Sequence, residues 1–116
     1  MISIDSVSSV SDFENISIVK LNADSNATSM LVWIKKEIKP HLHASHSEHV
    51  YVLQGTGKML LDNRVIDIKE GDLVFIPQNS VHAVRVTSEL PMKVLSIQAP
   101  EFDGNDRVPV PVDVTW

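Results

Sequence analysis

The sequence predicts an all-β chain, a sandwich or barrel of about eight short strands. Three observations carry this. Val and Ile far outnumber Ala in a chain that is 43% hydrophobic, and β-branched side chains favour strands over helices. Turn signals recur at the short intervals of an all-β fold. No window long enough for a helix carries a convincing 3.6-residue period.

The elements follow in order. Residues 5–12 are crowded with Ser and Asp and read as a loose entry or edge piece. Residues 16–21 alternate weakly and form a first strand, and 22–26 are a turn cluster. Within that loop Asn26-Ala27-Thr28 matches a glycosylation sequon, read here as loop chemistry. Residues 29–36 form an apolar strand containing Trp33. Lys35-Lys36-Glu37 make a charged rim, and Pro40 leads into His41. Residues 48–54 form a β-branched strand closed by Gly55-Thr56-Gly57. Residues 58–61 and 65–68 are a hairpin about Asp62-Asn63-Arg64, because Asp and Asn tolerate the backbone such a turn needs. Glu70-Gly71-Asp72 turns again. Residues 73–76 are a short buried strand ended by Pro77 and a turn at Gln78-Asn79. Strands at 81–86 and 92–99 follow. From Pro100 the chain is irregular, with an extended Val/Pro tail from Val108.

The length of 116 residues fits one domain, 1–116, with a barrel core at about 16–99, an entry segment 1–15 and a tail 100–116. Folding a chain of this size hides roughly two-thirds of its surface, enough for a core. The net charge of −5 argues against nucleic acid or an anionic membrane as a partner. The absence of Cys excludes a disulfide framework and a thiolate zinc site. Residues 1–15 carry no Lys or Arg and no apolar run of signal-peptide length. No stretch approaches the ~20 apolar residues of a membrane span. These features predict a cytoplasmic protein.

The chemistry concentrates at His41-Leu42-His43 and Glu48. Histidines two apart on a strand point to one face. The small, polar Ala44-Ser45-His46-Ser47 can turn and return Glu48 beside them. His82, after the punctuated segment from Gly71 to Pro77, is a fourth candidate. A lone histidine is most often an ordinary barrel residue, but imidazoles with one carboxylate suit a divalent first-row metal.

His41-x-His43-x4-Glu48-x6-Gly55 resembles the first cupin motif, and Gly71-x5-Pro77-x-Asn79-x2-His82 resembles the second. The segments YVLQGTG and GDLVFIP are also similar to small single-domain cupins of the cupin 2 type. The resemblance covers roughly residues 29–98. It implies a double-stranded β-helix, the jelly-roll barrel. It further implies one divalent metal (Fe, Mn, Ni, Cu or Zn) held by His41, His43, Glu48 and His82. Three family positions differ: Lys35 and Asn79 stand where glycines are usual, and Val86 where an asparagine is. None removes a ligand, and Asn79 still tolerates a left-handed backbone. Such a ligand set leaves coordination positions open, unlike a closed structural site.

The other conspicuous residues have blander readings. His46 and His49 are assigned to the rim or surface, His46 in the turn and near the mouth. Trp33 and Tyr51 are core or interface aromatics. Arg85, of opposite parity to His82, points outward, and Lys35, Lys36 and Lys93 are solvated. Gly55, Gly57 and Gly71 are expected to need positive φ. If Glu48 and His82 face inward, so do Val50, Val52, Val84 and Val86, with Gln54, Ser96 and Gln98 as the polar candidates. No Arg or Lys is placed inward, which favours a small, weakly charged or apolar ligand over a phosphorylated sugar or polyacid.

The expected function is a metal-dependent enzyme of dioxygenase type acting on a small molecule in the barrel, with Glu48 as a possible base as well as a ligand. A non-redox isomerase or lyase of a sugar-like or carboxylate substrate is the alternative, and a non-catalytic small-molecule-binding cupin is another. The expected assembly is a homodimer that covers an exposed strand edge.

Overall fold

The computed structural model describes all 116 residues. It contains ten strands: β1 Ile16–Ala23, β2 Thr28–Ile34, β3 Glu37–His43, β4 Ser47–Gln54, β5 Gly57–Leu61, β6 Arg64–Ile68, β7 Leu73–Ile76, β8 His82–Val86, β9 Met92–Ala99 and β10 Arg107–Pro109. The one helical element is a single 3-10 turn, Ile4–Ser6. No helix is long and apolar enough to cross a membrane.

The strands form two five-stranded antiparallel sheets, ordered β1-β2-β9-β4-β7 and β10-β3-β8-β5-β6. This is the all-β double-stranded β-helix that the family resemblance implies. Strand β9 falls at its expected limits, 92–99. Strands β3 and β10 raise the count from eight to ten. Lys39 and Pro40 break the apolar alternation of β3, and its register against β8 shifts between Ile38 and His41. Proline has no N–H to donate, so an irregularity of this kind is where a sheet tolerates it. Strand β10 is three residues long and exposed throughout, so no hydrophobic period marks it.

Alternation puts one face of each sheet inside. Met30, Val32 and Ile34 of β2 point in, as do Val50 and Val52 of β4 and Met92 and Val94 of β9. With Met59, Ile68, Val74, Ile76 and Val84 they form a cluster of twelve buried residues. All of these except Val52 and Val74 also line an internal cavity. The hydrophobic core is thus built as the wall of a chamber.

Two turn positions carry the site. Asn79 has φ 68 and donates its backbone N–H to the His43 carbonyl at 2.9 Å, docking the turn before β8 onto the end of β3. A left-handed residue is required there, and Asn is tolerated. Gly55 and Gly71 have positive φ, at 85 and 90, as expected. Gly57 does not. It is a strand residue, and a Cβ on it would lie 2.6 Å from Met92 Sδ and 2.8 Å from the Arg85 carbonyl oxygen. Space, not backbone angle, demands glycine at this crossing of β5 and β8. Gly57→Ala should therefore cost about 1–3 kcal/mol through overpacking. Chemical denaturation checks this; an unchanged midpoint would contradict it.

Candidate metal centre

His41 and His82 sit directly opposite each other across the β3–β8 pair. Their ring centroids are 4.1 Å apart, and His43, two residues along β3, lies 5.1 Å from His41 and 5.4 Å from His82. All three are buried, and each offers a ring nitrogen within 4.8 Å of the others. Glu48 reaches them from β4 on the facing sheet. Its Oε1 is 3.5 Å from His82 Nε2 and 3.9 Å from His43 Nε2. The four residues singled out in the sequence are thus brought together at one end of the chamber.

The rings are oriented by their other nitrogens. His41 Nδ1 donates to the Lys39 carbonyl at 2.8 Å, and His82 Nδ1 to the Ser80 carbonyl at 3.0 Å. A carbonyl only accepts, so each ring carries a proton on Nδ1 and turns its Nε2 toward the site. This is the donor arrangement a metal-binding histidine needs. Burial, then the neighbouring His82, lowers the His41 pKa from 6.5 to about 4. Burial also leads the lowering at His43, with His82 adding to it. Both rings are neutral at neutral pH. Glu48 behaves oppositely. Burial would raise its pKa, but hydrogen bonds with His82 and from the Ser96 hydroxyl (2.5 Å to Oε2) lower it. The residues present are three imidazoles and one carboxylate, the donor set of a divalent first-row metal.

His46 departs from its expected place on the rim. It is 3% exposed and packs behind His43. Its Nδ1 donates to Asp106 Oδ2, and its Nε2 donates to the Glu101 carbonyl at 2.6 Å. Both partners are acceptors, so both ring nitrogens carry protons and His46 is a cation. Burial opposes that charge, but the Glu101 and Asp106 hydrogen bonds outweigh it and raise the pKa. Asp103 and Asp106 lie near His46, yet with both ring nitrogens committed this group is an ion pair. Phe102 packs its ring against His46 (5.9 Å) and His43 (6.3 Å). Asp106, Phe102 and Glu101 all come from the segment read as irregular tail. The one trace they leave in sequence is His46 itself, a fourth histidine between site residues. His49 is exposed, as expected.

The chamber has a volume of about 280 Å³ and is lined by 22 residues, 15 of them hydrophobic. Val50, Val84, Ser96 and Gln98 face it as anticipated. Gln54 does not; its side chain donates to the Pro91 carbonyl at 2.9 Å. The expected absence of an inward cation also needs correction, because Arg107, the first residue of β10, lines the cavity. Its position follows from pairing opposite His43. Arg85 points outward, beside Glu37 and the Trp116 ring.

Comparison with known proteins agrees with this geometry. The family model for the cupin domain matches residues 29–98. An uncharacterized protein of Aquifex aeolicus (strain VF5) is 43% identical over 97 residues, covering 84% of this chain and 79% of that protein. Among solved structures, KdgF from Halomonas sp. superposes with a TM-score of 0.76 at 20% identity, covering 87% of this chain and 94% of that one. The nucleoside dehydratase Pac13 superposes with a TM-score of 0.71 at 22% identity, covering 84% and 82%. At these identities the two structures speak for the fold. With its two motifs converging from facing sheets and a family match across most of its length, the chain belongs to the cupin family.

Proposed function

We propose that this chain is a metal-dependent cupin enzyme acting on a small, largely apolar molecule held in the barrel. The observation that carries the reading is the convergence of three buried imidazoles and one carboxylate at the end of an apolar chamber. His41, His43, His82 and Glu48 are the ligands in this proposal. A divalent first-row metal held there supplies Lewis acidity or, for Fe, Mn, Cu or Ni, redox chemistry with O2. The chamber supports the dioxygenase type: it is small among ligand pockets (~300–1,000 Å³) and its walls are mostly apolar. Ser96 fixes Glu48 Oε2, leaving Oε1 as the oxygen that faces the imidazoles and would hold the metal, and that would take a substrate proton only when released from it. A non-redox lyase is the second reading. It is favoured by Arg107, which offers one anionic group a place at the wall, and by the fold shared with a nucleoside dehydratase.

We also propose a homodimer. Tyr51, Leu73, Phe75 and Ile97 are exposed, at 40%, 63%, 50% and 36%. Cross-strand pairing joins them into one patch, Tyr51 opposite Leu73 and His49 between Phe75 and Ile97. The patch adjoins β7, an unpaired sheet edge. An apolar face beside an open edge is what a second identical face covers in a two-fold pair.

Three outcomes are expected. The untagged chain should carry about one equivalent of Fe, Mn, Ni, Cu or Zn by elemental mass spectrometry. His82→Ala should lose it, and His43→Ala should lower it with the barrel still folded; full metal content in either variant would sink the ligand assignment. A redox metal leads to an O2-uptake screen, and zinc to a dehydration screen. Light scattering at micromolar concentration should give a dimer mass that Phe75→Glu reduces to a monomer, whereas a monomer for the parent rejects the pairing. The metal-free protein should lose stability on acidification. Unfolded His41 takes a proton near pH 6.5 and folded His41 only near 4. Between those values the unfolded state holds more protons, so stability falls as pH falls. The raised pKa of His46 acts above this window, where its contribution fades as pH rises. A melting temperature that stays flat from pH 6.5 to 4 would contradict the buried neutral rings.

A further inference from the structure

We propose that Asp106 is a positioning residue for His43. It accepts the Nδ1 proton and so aims the Nε2 lone pair at the candidate metal centre. This rests on the metal-site reading above and goes beyond it, because Asp106 lies outside both cupin motifs and outside the matched residues 29–98.

The inference comes from an asymmetry among the three rings. His41 and His82 each hand their Nδ1 proton to a backbone carbonyl two residues earlier. His43 has no such acceptor. Its Nδ1 is buried without a hydrogen bond, and Asp106 Oδ1 is likewise buried and unpartnered. The two atoms face each other at 3.5 Å. That is about 0.5 Å longer than an N–H···O bond, a gap closed by a slight ring rotation. Two facing polar atoms left unpaired in the interior each carry a desolvation penalty, so the pair is favoured to close.

The carboxylate has little freedom to do anything else. Its Oδ2 is held by the Ser45 N–H at 3.0 Å and by His46 Nδ1–H. Its backbone carbonyl accepts the Ala44 N–H at 3.0 Å. The next residue, Arg107, starts the pairing of β10 with β3 opposite His43. The segment before it is pinned where the Phe102 N–H meets Thr28 Oγ1 at 3.0 Å. The His46 cation balances the carboxylate, and its own second proton ties it to Glu101. An anionic acceptor also makes His43 a more basic donor than a carbonyl would, as outer partners of metal-binding histidines do.

Two measurements test this. In the metal-free parent, long-range ¹H–¹⁵N spectra should show His43 as the Nδ1–H tautomer; a dominant Nε2–H tautomer would overturn the proposal without any variant. In the second, Zn²⁺ or Co²⁺ affinity is measured against a competing chelator for the parent, Asp106→Asn and His46→Gln. Asp106→Asn is isosteric, but its amide cannot accept on both sides. It should raise the dissociation constant by ~10–100-fold. His46→Gln loosens the tie to Glu101 and keeps the carboxylate, so it should change affinity by less than about threefold. Parent-like affinity in Asp106→Asn rejects the role. Equal losses in both variants reject it too, since they would make the tie, not the carboxylate, responsible. A parent that binds no metal fails the metal-site reading, while the tautomer measurement still decides the orientation.

Discussion

The register of β3 against β8 is the constraint on which the site depends. Placing His41 opposite His82 fixes two imidazoles on one inward face, and strand periodicity then puts His43 there as well. A slip of one residue would turn all of them to solvent. The register is enforced beyond the ladder. The turn at Asn79 hydrogen-bonds the end of β3, and each of the paired histidines spends its spare proton on a carbonyl of its own strand or turn. Glu48 has no direct part in this pairing. It arrives from the other sheet, so the packing of the two sheets sets its distance from the imidazoles.

That packing is unusual in its purpose. Nearly every residue of the apolar cluster also faces the chamber. Side chains that border a space lack partner atoms on one side and forgo some dispersion energy. Stability is recovered where strands cross tightly, as at Gly57 against Met92 and the Arg85 carbonyl. The polar groups inside are confined to one end. There, burial keeps His41 and His43 neutral while hydrogen bonds keep Glu48 ionised. A dication meeting that set finds uncharged donors and one negative charge, which lowers the cost of burying it.

Much of this was legible in the residues. Strands with clean apolar alternation, such as β9, read correctly to their ends. The candidate ligands were legible because their spacing matches strand period and turn length. The failures share one cause. Strand β10 is paired through its backbone, with no side-chain period to betray it. Arg107 faces the cavity because of that pairing, so its orientation was invisible as well. His46 sits in a turn, where parity has no meaning, and its burial depends on Phe102 and Asp106 more than fifty residues away. Gly57 shows the converse, a residue correctly singled out but for space rather than backbone angle.

The topology also orders events in time. Hairpins β1–β2 and β5–β6 join neighbours in sequence and can close locally. Strand β9 cannot: it lies between β2 and β4, so the first sheet has no middle until residue 99 arrives. Non-local pairing of this kind belongs to the slow end of small-domain folding, milliseconds to seconds. Ser96, which holds Glu48, is on that strand, and the cover over His43 and His46 comes later still. On the ribosome the histidines of β3 emerge long before either, so a nascent chain displays imidazoles well before it has a chamber to enclose them.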